Sequence, residues 1–330
     1  MVDTMLMFDM RAPSFGAAPR DLYAAAPEMA AYADEHGIDR ISVSEHHGAE
    51  DGYMPCSFPF LAALGTRTKR ARIMPNACIL PLHDPVKIAE QIAVTDLVSG
   101  GRLDVLVAAG YVPSEFAMFG VSLSDRGCLL DQGIDILIRA LSGERFKMNG
   151  RTIFVRPLPL QKPHPPLFIG GGVHASAVRA ARFGAGFVPL RQELMPIYDA
   201  ECRKLGREPG QKLFFPAAFC VHVTDDPEKG WADIMPHASH VVASYARWAA
   251  EASNSSSPFE GLASDDAVRQ SGMFHVLTPE LCVAYARKCE SAGHTMSVQP
   301  LLGGLSPEIG WRSLELFCTK VLPRIKANAA

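Results

Sequence analysis

Apolar residues along this chain fall into two alternating patterns: short, nearly continuous apolar runs, and longer segments with one apolar face. That alternation reads as repeated strand-then-helix units. Met5 to Met10 is a first strand, and Pro19 to His36 a helix stopped by Gly37. Ile41 and Val43, separated by small Ser42, form a second strand that runs through Ser44 into Glu45, His46 and His47. Phe58 to Thr66 is a short helix and Arg72 to Leu80 a third strand. Asp84 can cap the next helix and Pro85 fits its first position, with Val86, Ala89, Ala93 and Leu97 on one face and Gly100-Gly101 closing it.

Leu103 to Ala109 is almost wholly apolar, as a parallel strand covered on both faces should be. A helix from Arg126 aligns Leu130, Ile134, Leu137, Ile138 and Leu141. Arg145 to Val155, with Asn149-Gly150 at its middle, predicts a β-hairpin. A proline-rich connection, Pro157 to Pro166, leads to strand Leu167 to Ile169 and helix Ser176 to Phe183. Ala185 to Pro189 is a sixth strand, with a helix near Met195 to Leu205, and Phe214 to Val223 a seventh. Met296 to Leu301 is the last strand, and Pro307 to Leu322 a closing helix.

Eight such units predict an α/β fold, a single (β/α)8 TIM barrel spanning residues 1–330. The stretch from Asp225 to Gly293 is too long for one crossover and is expected to be an insertion after strand seven. Its serine-rich part, within residues 252–272, buries little and predicts a mobile lid or a plain surface loop.

Composition narrows the functions. A 48% hydrophobic chain of 330 residues fills a large core, and a formal charge of -3 offers no basic field for nucleic acid or acidic membranes. There is no apolar run of spanning length and no basic-then-apolar leader pattern. Eight cysteines, none in a CxxC pair, suit reduced, mostly buried thiols in a cytoplasmic protein and give no metal site.

Two stretches carry candidate chemistry. The carboxyl ends of parallel strands open onto ligand sites, and there Glu45, His46 and His47 place three proton-handling groups together. Hydrogen-bonded structural histidines are the other reading of the same residues. Gly170-Gly171-Gly172-Val173, leading to Ser176, puts a side-chain-free loop between a strand and a helix N-terminus, which suits an anion such as a phosphate. A tight turn alone would also call for glycines, and the contiguous spacing is not that of a dinucleotide fingerprint.

The chain resembles the bacterial-luciferase-like flavin-dependent monooxygenases and oxidoreductases. The resemblance rests on Glu45-His46-His47; Leu80 to Pro85 with Glu90-Gln91; Gly101-Arg102-Leu103 through Gly110 to Glu115-Phe116 and Phe119-Gly120; and Pro166 to Gly184. It covers the first 190 or so residues well. It implies a (β/α)8 barrel, usually a homodimer, that binds reduced FMN, with the phosphate at Gly171, Gly172, Val173 and Ser176 beside Gly170. Asn76-Ala77 matches the third-strand site of a non-prolyl cis peptide against the flavin ring, and Ala109 and Gly110 match the cofactor-facing end of strand four. His46 matches the catalytic histidine, with Glu45 supporting it.

Ala109 stands where luciferase-type members place an arginine on the flavin phosphate, with Arg126, His174 or Arg179 as candidate substitutes. That departure also suits the deazaflavin coenzyme F420. The implied reaction is a monooxygenation of a small apolar organic substrate through a flavin hydroperoxide formed with O2. A separate NAD(P)H:flavin reductase would supply the reduced FMN. Phe8, Met10, Met54, Phe58 and Tyr111 are candidates for the substrate pocket and equally for plain core. The rival functions are F420-dependent hydride transfer and non-catalytic flavin binding.

Overall fold

The structure, a computed structural model, describes residues 1–213, 218–252 and 259–327. The chain begins with β1 (Thr4–Phe8), α1 (Pro19–Glu35), β2 (Arg40–Val43), α2 (Ser57–Arg67), β3 (Arg72–Pro75), β4 (Cys78–Ile79), α3 (Pro85–Val98), β5 (Val105–Ala108), α4 (Pro113–Met118) and α5 (Arg126–Leu141). Then come β6 (Phe146–Met148), β7 (Arg151–Ile153), β8 (Leu167–Gly171), α6 (His174–Phe183), β9 (Gly186–Pro189) and α7 (Met195–Lys204). The chain ends with β10 (Cys220–Val223), α8 (Pro227–Glu251), α9 (Asp265–Gln270), β11 (Phe274–Leu277), α10 (Pro279–Ala292), β12 (Met296–Val298), α11 (Pro307–Leu316) and α12 (Leu322–Lys326). It divides into two compact units, residues 1–55 with 216–330 and residues 56–215.

In the first unit the strands run parallel in the order β11-β10-β12-β1-β2. Thr4 pairs with Met296 and Met5 with Arg40, so β1 lies between the end of the chain and its start. Every residue of β1 and β2 is buried, which a parallel strand covered on both faces requires. The long α8 starts where the Asp226 carboxylate accepts the Lys229 N–H at 3.1 Å. Its Trp231, Ile234, Ala238, Val241 and Val242 join Cys220, Phe274 and Val276 in one core cluster. Each Val, Ile and Phe side chain among them contributes about 1.5–3 kcal/mol on burial.

In the second unit the parallel order is β4-β5-β8-β9, with Ile73 of β3 bridged to Leu103. Asp84 caps α3 by accepting the Val86 N–H at 2.8 Å, as the sequence predicts. The predicted hairpin is β6-β7, antiparallel, with Asn149 (φ 49°) and Gly150 (φ 75°) both in the left-handed region that a two-residue turn of this kind needs.

Some elements differ from the reading of the sequence. The third strand is split into β3 and β4 around a cis Asn76-Ala77 peptide, and Leu80–Leu82 is already a 3-10 turn. Inside the expected insertion lies an additional strand, β11, which pairs in parallel with β10; its apolar Phe274 and Val276 are too few to stand out in the sequence. The short α4 is also additional, and α6 starts at His174 rather than Ser176. The closing helix passes through a π-helical stretch, Phe317–Val321. Residues 214–217 of the predicted seventh strand, and 253–258 of the predicted lid, lie outside the described residues.

None of the eight cysteines is in a disulfide; Cys56 and Cys128 are exposed and the others buried. No described helix is long and apolar enough to cross a membrane.

Candidate functional site

Past the ends of β1 and β2 the first unit gathers a cluster of buried polar groups, Asp9, Arg11, Ser44, Glu45, His46 and His47. Past Val43 the chain continues through Ser44, whose N–H donates to Phe8 O, and the His46 N–H donates to Met54 O at 3.0 Å. These bonds pin the segment from Ser44 to Met54 against the end of β1, and His46 is buried with 8% exposure. Its imidazole lies 4.2 Å from the Trp248 indole and only 13° from parallel. Tyr53 packs on it at 4.8 Å and 38°, and Tyr245 meets it edge-on at 5.9 Å and 82°. Glu45 Oε1 stands 3.4 Å from His47 Nε2, so the glutamate's polar contact reaches the second histidine.

Beside these rings lies a buried charge cluster. Arg11 is fully buried, with its guanidinium 3.9 Å over the Tyr53 ring. Its Nη1 donates to Asp51 Oδ2 at 3.2 Å and its Nε faces Asp9 Oδ2 at 3.6 Å. A buried cation of this kind is tolerable only when paired. Met10, between Asp9 and Arg11, has φ 58°, a left-handed conformation uncommon outside glycine, that turns the chain sharply off β1. Asp9 is further bound by the N–H of Gly303, and Asp51 by His240 Nε2 at 2.7 Å. Burial pushes the Asp9 carboxyl up, against the pull of Arg11 and of N–H donors from Arg11 and Gly303. Burial also raises Asp51, but the His240 hydrogen bond and the Arg11 charge outweigh it and bring that carboxyl down to about 2. Burial raises the phenols of Tyr53 and Tyr245, whose hydroxyls share a 2.8 Å hydrogen bond.

In the second unit Val107 lies beside Cys78 and Ile169, which puts Ala109-Gly110 and Gly170 to Val173 at the carboxyl ends of neighbouring parallel strands, while Ala77 lies just before β4. Gly110 is left-handed (φ 73°), and a Cβ there would fall 2.6 Å from Ile79. A Cβ on Gly171 would fall 2.6 Å from that of Ser176, so a side chain at 171 would displace the serine. Ser176 is buried and its hydroxyl donates to Val173 O at 2.5 Å. Val173 offers α6 no side-chain cap, and its carbonyl takes the Ser176 N–H at 3.0 Å as well as the hydroxyl; the start of such a helix favours an anion.

The candidate pocket residues divide between the units. Phe8, Met10 and Met54 in the first are all at or below 1% exposure. Phe58, on α2, is buried and Tyr111, past β5, is half-buried in the second. Of the candidate cations, Arg179 is engaged by Asp131 at 2.5 Å, Arg126 donates to Leu123 O, and His174 lies exposed at the start of α6. The sequence reading misses Arg191, just past β9, whose Nη2 donates to Gly172 O at 2.6 Å. It also misses Arg11, Tyr245 and Trp248. The last two stand three positions apart on one helix face, a spacing that signals a shared partner.

Residues 5–293 match the family described as luciferase-like monooxygenase. The flavin-dependent trigonelline monooxygenase, oxygenase component, of Acinetobacter baylyi is 28% identical over 200 residues, which covers 56% of this chain and 55% of that protein. An F420-dependent glucose-6-phosphate dehydrogenase of Nocardia farcinica is 27% identical over 210 residues, 60% of each chain. The chain spans about half the length of the curated relatives it matches. Among solved structures, the monooxygenase RslO1 of Streptomyces bottropensis shares the fold, with a TM-score of 0.75 at 23% identity over 97% of this chain and 99% of that one. The Glu45-His46-His47 strand end and the glycine run lie within that match over residues 5–293, and the chain belongs to the luciferase-like monooxygenase family.

Proposed function

We propose that the protein is a flavin-dependent monooxygenase that takes reduced FMN from a separate NAD(P)H:flavin reductase. With dioxygen it oxygenates a small apolar organic substrate. In this reading the chain is one cytoplasmic (β/α)8 barrel with an insertion after its seventh strand, and it works as a homodimer. Val94, Leu97 and Val98, exposed together on α3, suit a subunit contact. The observation that carries the catalytic part is His46, a buried imidazole at a strand end, walled by Trp248, Tyr53 and Tyr245. The reductase is supported by the trigonelline relative, which is named as the oxygenase component of its enzyme.

The residues present fit the cofactor. Gly171, Gly172, Val173 and Ser176 at the uncapped start of α6 would hold the phosphate, with Arg191 supplying the charge that Ala109 lacks. Asn76, Ala77, Ala109 and Gly110 would lie against the ring system. Reduced FMN, when bound, supplies the electrons that divide dioxygen between substrate and water. His46 holds and returns a proton at its imidazole nitrogen, a role a positioned histidine fills near neutral pH. Glu45, through His47, keeps that strand end polar and ordered. Aromatic walls around His46 keep bulk water from the proton it carries.

A second reading, hydride transfer with the deazaflavin F420, is favoured by Ala109 at the arginine position and by the F420-dependent relative. Oxygen uptake measured with reduced FMN and with reduced F420 separates the two. His46→Ala should leave the protein folded and FMN-binding intact while turnover drops roughly 10²–10⁴-fold, the usual worth of an acid/base. A folded variant with normal turnover removes His46 from the chemistry.

A further inference from the structure

Three aromatic rings, of Trp248, Tyr53 and Tyr245, pack around His46. Trp248 lies against it nearly parallel at 4.2 Å, and Tyr53 occupies a second side. An imidazole confined between such faces cannot swing about its side-chain torsions without striking carbon. The confinement comes from a distant part of the chain, since Trp248 sits in the last turn of α8. That helix is itself tied to the segment after β2. His240 Nε2 meets Asp51 Oδ2 at 2.7 Å, and the Tyr245 hydroxyl meets that of Tyr53 at 2.8 Å. Two polar ties thus fix α8 against the loop that carries His46, and the indole is delivered onto the imidazole by both.

We infer that Trp248 is a positioning residue for His46, setting the one orientation in which the imidazole exchanges its proton; this rests on the acid/base role proposed for His46. The geometry gives Trp248 no contact with the proton itself, so its loss acts through the angle of the ring. A shift of about 1 Å in such a group costs up to roughly 100-fold in rate. Among the described residues, the titratable and charged groups around this stack within the unit include Asp9 and Arg11 after β1, Glu45, His47, Asp51 and Tyr53 after β2, and His240 and Tyr245 on α8.

The stack is tested first on the protein without cofactor. A protonated imidazole lying on an indole quenches its emission, so tryptophan fluorescence should fall as acid protonates that ring. His46→Gln should abolish that fall; its persistence overturns the stack. The positioning role is tested by the pH profile for oxidation of reduced FMN by dioxygen on the enzyme. Trp248→Met, whose flexible chain refills the space, should lose the same profile break as His46→Gln with FMN affinity within about twofold. Trp248→Phe, which restores a ring face, should recover it. If His46→Gln changes the profile but a folded Trp248→Met keeps that of the wild type, the positioning role is wrong and the catalytic reading stands. If His46→Gln leaves the profile unchanged, the catalytic reading fails and the positioning role goes with it. Should Trp248→Met not fold, the comparison of Trp248→Phe with His46→Gln decides: a Phe variant that behaves as His46→Gln refutes orientation by an aromatic face.

Discussion

His222, in β10, ties a measurable share of the acid stability of the first unit to one buried group. The side chain is 5% exposed. Burial drives its imidazole from 6.5 down to about 4, with Asp233 pulling it up and Arg312 pushing it further down. A histidine depressed in this way binds fewer protons in the folded than in the unfolded chain between those two values. Its stabilisation is therefore complete above about pH 6.5 and is lost as pH falls toward 4. The full shift corresponds to about 3 kcal/mol, of which about 2 kcal/mol is already gone at pH 5. Urea unfolding of the wild type and His222→Gln at pH 7.5 and 5.0 measures this as a double difference. Packing changes caused by the substitution cancel, and so do the contributions of His237 and His275, which burial also lowers. The wild type should lose about 2 kcal/mol more than the variant between the two pH values. Equal losses in both proteins would refute the reasoning, because His222 would then carry no buried-imidazole penalty.

Two further outcomes concern the glycine loop. At Gly172 the nearest atoms to an added Cβ are those of the Leu190 side chain, at 3.3 Å, so Gly172→Asp should fold and set a carboxylate where the phosphate belongs, raising the FMN dissociation constant more than tenfold; an unchanged constant in a flavin titration moves the phosphate elsewhere. Arg191→Ala removes a half-exposed cation from the Gly172 carbonyl and should weaken FMN by a few-fold, roughly the worth of an exposed charge, with a shallower dependence on salt; an unaltered salt slope would discharge Arg191 from that role.

The alternation of β1, β2, β5 and β8 with helices is legible in the sequence because parallel strands are buried on both faces and leave near-continuous apolar runs. Asp84 and Asn149-Gly150 are legible because caps and two-residue turns admit few residue types. β11 is not, since four residues with two buried side chains give no periodic signal. In the site, His46 stands out locally, as one of three proton-handling residues after a strand. Trp248 does not, because its meaning depends on a partner some 200 residues away that no local pattern can indicate. Arg11 is hidden for the opposite reason: an arginine just past a strand ordinarily reads as a solvated loop cation, and only the fold shows it buried between Asp9 and Asp51.

The place of β1 between β12 and β2 has a consequence for synthesis on the ribosome. Met5 can meet Arg40 as soon as both have emerged, but Thr4 must wait for Met296. The second unit, residues 56–215, is made entirely within that interval. At about 5–20 residues per second the wait lasts on the order of 10–60 s. Throughout it β1, whose side chains are all destined for burial, presents an unsatisfied apolar edge to solvent. The nascent chain is therefore most open to chaperone capture, or to pairing with a neighbour on the same messenger, during the long middle of its own translation.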